Sequence, residues 1–479
     1  MESHIYRHDH ILGLIEGGLG AELYRSWGVA IGGMLSVDSL LVVSSDIRAS
    51  SAPFKAALVE GLLSSGVRVI DIGILPTELA AYARDTFSAS GFVSVSGDWH
   101  SACWNGLRWR LEGVALSISE QVLRLCEVAS AAPLVDVAGV HLSMSNRLRK
   151  YDITYHWVAW AQGIWHDANQ RPMRIVVDAM YGSWARVASN ALRAIFPQVQ
   201  IESLRDVAND NFGGVVPNSR IFSSIASSCK AVRKRRAEFG VVLDADAGNF
   251  TIIDDCGEPL TVEETHWLFI RHILCDGLEG ENLLCDVACS EVLLNEAIRL
   301  GASPVISGMT SDRFIDDMRK SNALIGLTSD GALYFRGIGG SRIVVFAISW
   351  VIDYMLCATF KLSDWRKTLP AFHITPELRV NYNNSVEELV KVLSVEWSST
   401  AAKTIDGYSF SGTAAKVHIR MIGGYGQVGF RFESKSRDGL DNIVQKCCIA
   451  LSNFANIATS LEEQYKKNIT IHEIISDKF

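Results

Sequence analysis

The chain has 479 residues, 48% hydrophobic, 20% charged and 9% aromatic, with 38 glycines and only 10 prolines, a usage that excludes disordered, collagen-like and low-complexity classes. Its 45 basic and 53 acidic side chains leave a formal charge of −8, which argues against a general nucleic-acid or anionic-membrane binder. Ten scattered cysteines without a CxxC pair read as reduced cytosolic thiols, not as a disulfide framework or a zinc site.

The first ten residues, MESHIYRHDH, hold no apolar run, so a secretory signal is not expected and a cytoplasmic protein is. SLLVVSSD (39–46) predicts a strand, PFKAALVEGLLSSG a helix and VRVIDIG (67–73) a second strand. The cycle repeats with MRIVVDAMYG (173–182), WARVASNALRAIF and EFGVVLDAD (238–246), where RKRR (233–236) supplies cations to a helix C-terminus. It repeats again with ENLLCDVAC, SEVLLNEAIRLG and SPVISG. Strand–helix–strand units of this size imply parallel sheets covered by helices. Ile343 to Phe360 is strongly apolar, but Asp353 interrupts it, and about 18 residues is marginal for a membrane span; a buried helix is expected, and no membrane partner. After about residue 365 a helix near 386–401, the strands VHIRM and VGFRFES, and a helix from Leu440 follow. The expectation is an α/β protein: three related α/β domains with mixed or parallel sheets at 1–150, 151–255 and 256–365, and a smaller C-terminal α+β domain at 366–479.

Seven stretches occur in a telling order. They are SSDIRASSAPFKAALVEGLLSSGVRVIDIGILPT (44–77), GFVSVSGDWHSACWNGLRW (91–109), NFGGVVPNS (211–219), VVLDADAGNFTIIDDCGEPLT (241–261), ALIGLTSDGALYFR (323–336), HITPE (373–377) and TIDG (404–407). Together they resemble landmarks of the α-D-phosphohexomutases, the phosphoglucomutase/phosphomannomutase family. In the same order the family has GRDTR to LxPTP, TASHNP leading to an NG, FPGxxPNP, DGDADR, the sugar loop GGEMSGH, and two markers of its last domain. The resemblance covers nearly the whole chain. It implies a four-domain architecture carrying, in turn, a phosphoserine loop, a metal loop, a sugar loop and a phosphate loop around one cleft.

The residues that would do the chemistry differ. Counting back from Asn105-Gly106, the family's phosphoryl-carrying serine is Asp98, followed by Trp99 and His100. The metal loop keeps Asp244 and Asp246, but Gly248 and Asn249 stand for its third aspartate and its arginine. Thr328 and Asp330 replace the sugar loop's glutamate and serine, and Ala288 and Asp312 lie near a lysine and a histidine of the third domain. An early Arg-Gly becomes Glu16-Gly17. The phosphate loop has two registers. One uses Arg420 with Ile422-Gly423-Gly424, whose backbone N–H groups suit phosphate; the other uses Ser411-Gly412-Thr413.

Asp98 has three readings: a nucleophile that forms an acyl phosphate, a metal ligand or charge mimic, or a solvated loop residue. With Asp244 and Asp246 it would give a hard oxygen set suited to Mg²⁺. His100 is either a general acid or base or a structural histidine. Arg48 would meet substrate or nearby carboxylates, or form a surface ion pair, and Thr328, Ser329 and Asp330 would bind sugar hydroxyls or close a polar turn. Trp99, Trp104 and Trp109 would stack on a ring or pack a wall. The functional expectation is a divergent phosphohexomutase-like protein handling a hexose phosphate, with isomerase-type or phosphatase-like chemistry at Asp98. The rival is an inactive pseudoenzyme that binds a sugar phosphate or a protein partner. A third reading is a changed substrate in a specialised pathway.

Overall fold

The structure is a computed structural model, and it describes residues 5–7, 9–130, 146–246, 248–274, 277–338, 341–397, 401–412, 415–422 and 426–477. The chain divides into two compact units, one of residues 1–260 with 333–365, the other of 261–332 with 366–479.

In the first unit, Val/Ile-rich runs buried on both faces make parallel strands, as such composition requires. Gly91–Val95, Leu40–Ser45, Arg68–Ile74 and Leu148–Lys150 lie parallel in that order, with Val93 and Ile70 flanking the central strand (Val43↔Val93, Val42↔Ile70). Trp104–Leu111 runs antiparallel to Gly91–Val95 on one side and to Ile11–Leu14 on the other. The helices Ala21–Gly33 and Ser51–Ser64 cross where two glycines meet. A Cβ on Gly28 would stand 2.2 Å from the Leu58 carbonyl oxygen, and one on Gly61 2.1 Å from that of Arg25. This close approach seats Tyr24, Trp27 and Phe54 against the sheet: Tyr24 stacks on Phe54 at 4.5 Å and meets Trp27 edge-on at 4.7 Å.

A second sheet in this unit joins Val199–Leu204, Met173–Asp178 and Phe239–Leu243 in parallel, with Phe250–Ile253 antiparallel to Phe239–Leu243. The apolar stretch after Ile343 is a buried helix, Val344–Cys357, whose Phe346 packs on Trp160, Trp165 and Phe335. Its 14 residues reach about 21 Å, short of a roughly 30 Å bilayer core. Among the described residues no helix is long and apolar enough to cross a membrane.

In the second unit, Ser303–Ser307, Asn282–Asp286 and Ile325–Leu327 are parallel. The rest is antiparallel: Gln427–Ser434 pairs with Ala415–Ile422, Leu378–Asn381 and His373–Ile374, and Gly407–Ser411 joins the other edge of Ala415–Ile422. Alternate residues Val417, Ile419, Val428, Phe430 and Phe432 face the helices Val386–Glu396 and Arg437–Ala450 and make one core, the period-2 pattern of a sheet covered on one face. The whole is a multi-domain α/β protein with several mixed sheets and an α+β C-terminal part.

Candidate functional site

Strand Leu40–Ser45 ends at Asp46, which is 1% exposed. Its carboxylate accepts hydrogen bonds from the backbone N–H of Gly97 (2.9 Å) and Arg48 (3.1 Å), from the Ser51 hydroxyl, and from the Arg48 guanidinium. Arg48 Nη2 then donates to the carbonyl oxygens of Asp98 (3.1 Å) and His100. Arg48 therefore clamps the loop after Val95 from beneath, and it lies 4.9 Å over the Phe212 ring. Gly97 is obligatory in that position, because a Cβ there would stand 2.6 Å from the guanidinium carbon. Asn105 ties the same loop to the first helix turn through Ser50 (2.7 Å) and Ser51 (2.9 Å). Of the partners expected for it, Arg48 meets a carboxylate: it is 2% exposed and committed to Asp46 and two backbone carbonyls rather than forming a surface ion pair.

Asp98 sits on this clamped loop with φ 56°, in the left-handed region where Asp is tolerated better than most residues. Its N–H donates to Ser96 Oγ at 3.0 Å, and its Oδ2 accepts from Arg108 Nη2 at 2.6 Å. Burial alone would raise this carboxyl, but Arg108, His100 and Arg342 outweigh it and hold it well below the usual carboxylate range. His100 stacks on Trp99 with ring centroids 4.0 Å apart and lies 4.7 Å from Trp104. Burial, reinforced by Arg48 and Arg108 and opposed by Asp98, pushes its imidazole down to about 4. The ring is therefore neutral at pH 7, and among the described residues its buried Nδ1 has no hydrogen-bond partner. Trp109 is core, donating to Gln121 at 2.9 Å.

Asp244 and Asp246 follow the strand Phe239–Leu243. The PNS turn packs on them: Ala245 N donates to the Pro217 carbonyl (3.1 Å), and Ser219 N donates to Asp244 Oδ1 (2.6 Å). Both oxygens of Asp246 accept from Thr77, from its N–H at 3.1 Å and its hydroxyl at 2.6 Å, so the carboxylate caps the helix Thr77–Thr86. Burial raises both carboxyls to about 6, with the charge of Asp46 adding to the effect at Asp246. Glu78, in the first turn of that helix, is 5% exposed. It accepts from the Val344 N–H at 2.9 Å, and its Oε1 lies 4.0 Å from Arg342 Nε. Burial pushes its carboxyl well up, against Arg342 and that N–H. Arg342 reaches the metal-loop segment as well, since a Cβ on Gly248 would stand 3.1 Å from its Nη2.

These residues do not fit a divalent cation. Asp98, Asp244 and Asp246 come near enough to feel one another's charge, but each is already bound, to Arg108, to Ser219 and to Thr77 respectively. Among the described residues no three acidic, histidine or cysteine side chains are grouped to hold one metal ion.

The remaining predicted residues belong to the second unit. Thr328 Oγ1 donates to Asp330 (2.5 Å) and accepts from Ala332 N (2.9 Å), a closed turn. Ser329 points inward, its N–H and hydroxyl both on Asp286 Oδ2 at 2.6 and 2.8 Å, and Arg431 Nη1 donates to its carbonyl at 2.9 Å. Neither hydroxyl is left for a sugar; of the three, Asp330 is the exposed one. Arg420 donates to both oxygens of Glu377, from the HITPE segment, at 2.6 and 3.1 Å. Gly423, Gly424 and Thr413 lie outside the described residues, as does the side chain of Asp312.

Sequence reasoning missed Asp46, Thr77, Glu78, Arg108, Arg342 and His10. His10, whose titration feels Arg108 and Asp98, is pushed down mainly by burial. Arg108 carried a faint signal, a charged residue in an apolar strand three positions after Asn105. Arg342 carried none.

Comparison with known proteins agrees with this architecture. Family models for phosphoglucomutase/phosphomannomutase match at residues 5–121 (alpha/beta/alpha domain I) and 159–257 (alpha/beta/alpha domain II). A phosphomannomutase/phosphoglucomutase of Pseudomonas syringae is 22% identical over 446 residues, 92% of this chain and 93% of its own. A phosphomannomutase of Vibrio cholerae is 24% identical over 341 residues, 68% of this chain and 72% of its own. A phosphoglucomutase/phosphomannomutase family protein from Burkholderia thailandensis superposes with a TM-score of 0.80 at 21% identity, covering 95% of this chain and 98% of that one. With the order of its landmarks and its sheets, these matches make the chain a member of the α-D-phosphohexomutase family.

Proposed function

We propose that this phosphohexomutase-family chain binds a hexose phosphate or related sugar phosphate in carbohydrate metabolism and does not carry a phosphoryl group. The observation that supports this most is the pairing of Asp98 with Arg108 at 2.6 Å, on a loop clamped by Arg48. An anion stands where the family resemblance expects a hydroxyl. A phosphoryl transfer to Asp98 would form a bond from its carboxylate oxygen to phosphorus and break the bond to the sugar oxygen, which then needs a proton. His100 is the nearby acid-base candidate. Titrating at about 4, it has no proton to give near neutrality, and Asp98, held ionised, has none either. The donor set also argues against the Mg²⁺ that the resemblance implies.

One observation favours a second, enzymatic reading: an ionised carboxylate is the form that attacks phosphorus. In that reading the chain would be a phosphatase-like derivative, because acyl phosphates hydrolyse readily. Titration calorimetry with glucose 1-phosphate and mannose 1-phosphate, joined to intact-mass spectrometry after exposure to glucose 1,6-bisphosphate, separates the two. The proposal expects saturable binding of at least one sugar phosphate and no phosphorylated protein. A phosphoryl adduct lost in Asp98→Asn contradicts it.

A further inference from the structure

We infer that the guanidinium of Arg342 takes the place of the divalent cation in this site, so that fixed arginines rather than Mg²⁺ neutralise the acidic loops.

Three observations converge on this. First, Arg342 lies against the backbone of Gly248: a Cβ there would be 3.1, 3.3 and 3.4 Å from its Nη2, Cζ and Nη1. A third carboxylate on the Asp244–Asp246 loop would have to emerge into the space the guanidinium fills. Second, Arg342 lies 4.0 Å from the buried carboxylate of Glu78, one residue from the Thr77 that binds Asp246. One guanidinium thus stands between the Glu78 carboxylate and the Gly248 backbone of the metal-loop segment, a place a cation could fill. Third, the carboxylates have turned to protein donors: Asp246 to Thr77, Asp244 to Ser219 and Asp98 to Arg108. Binding Mg²⁺ requires near-octahedral oxygens at about 2.1 Å, and a guanidinium beside the same loop opposes a second cation by direct repulsion.

Arg342 is itself held. The Val344 N–H two residues on donates to Glu78, and the guanidinium carbon lies 5.8 Å over the Tyr334 ring. An arginine fixed this way presents a planar fork of donors suited to a phosphate dianion. The ligand class for the site is therefore a sugar phosphate bound by arginines without a bridging metal. That last step rests on the function proposed above; the replacement of the metal does not.

Thermal unfolding of the full chain, first stripped with EDTA and then titrated with MgCl₂, tests the metal claim without any sugar. The expected result is the same Tm in EDTA and in Mg²⁺. A saturable rise in Tm with Mg²⁺, reversed by EDTA, would overturn it. The variant Gly248→Asp/Arg342→Ala, which restores a carboxylate and removes the guanidinium, is expected to acquire a Mg²⁺-dependent rise in Tm. If it folds by circular dichroism and still ignores Mg²⁺, Arg342 is not what displaces the metal. Calorimetry with glucose 1-phosphate in EDTA and in Mg²⁺ should give the same Kd. A Kd that tightens only with Mg²⁺ refutes the inference, whereas loss of binding in both buffers refutes the sugar-phosphate reading and leaves the Tm comparison standing.

Discussion

Replacing Arg48 with methionine keeps most of the side-chain volume but removes the guanidinium bonded to Asp46. Asp46 is 1% exposed and Arg48 2%, so the variant buries a carboxylate that has lost its countercharge. Breaking a buried ion pair from one side costs about 3–5 kcal/mol. The Ser51 hydroxyl and the Gly97 N–H still donate to Asp46, which sets the expectation at the lower end. Loss of the contact over Phe212 at 4.9 Å adds about 0.5–1 kcal/mol. We therefore expect the first unit to lose roughly 3–4 kcal/mol. Urea unfolding followed by tryptophan fluorescence reports on that unit, because Trp267 and Trp397 are the only tryptophans outside it. Asp46→Asn in the Arg48→Met background should recover part of the loss, since it removes the stranded charge. If Arg48→Met unfolds at the wild-type urea concentration but no longer binds sugar phosphate, Arg48 is a ligand group and the clamp account is wrong.

Other outcomes follow from the same geometry. Asp246 in the native state holds its proton up to about pH 6, whereas the unfolded chain releases it near the ordinary 3.8. The native state is therefore penalised as pH rises from about 4 to 6 and stays penalised above. In EDTA, Asp246→Asn should stabilise the protein at pH 8 by up to roughly 3 kcal/mol and do nothing below pH 4; urea titrations at both pH values decide it. Ser329→Ala should destabilise the second unit by about 1–3 kcal/mol, the worth of a hydrogen bond to a buried carboxylate, and should leave sugar-phosphate affinity unchanged by calorimetry. Gly61→Ala should lower Tm although alanine is the better helix former by about 1 kcal/mol, because its Cβ would meet the Arg25 carbonyl oxygen at 2.1 Å. A raised Tm would mean that the two helices can separate without cost.

The fold was legible where the apolar pattern along the chain matches how a strand is covered. LLVVSS and FGVVL are buried on both faces and RVIDIGI is buried at Val69, Ile70 and Ile72, and all three carry the apolar runs of parallel strands. VHIRM and VGFRFES alternate because their sheet is covered on one face. The site was legible only as positions. Spacing from Asn105-Gly106 finds Asp98, but nothing nearby announces that Arg108 will neutralise it or that Glu78 will meet a helix 266 residues later. Such pairs are made by tertiary approach, which periodicity does not encode. Thr328 and Ser329 show the complementary difficulty. Hydroxyls suit a sugar and suit a closed turn equally, and only their partners, Asp330 and Asp286, separate the two. By sequence Arg48 suits substrate, a carboxylate or a surface ion pair alike; Gly97, which lets it pass beneath the loop, gives it to Asp46.

The central claim is that the site binds a sugar phosphate without exchanging a phosphoryl group. ³¹P NMR of the purified chain, given glucose 1-phosphate or mannose 1-phosphate with a trace of the matching 1,6-bisphosphate, tests it most directly, in EDTA and again in Mg²⁺. The account predicts a 1-phosphate resonance that broadens or shifts with protein and is never converted. Growth of a 6-phosphate or free phosphate signal that disappears in Asp98→Ala would contradict it.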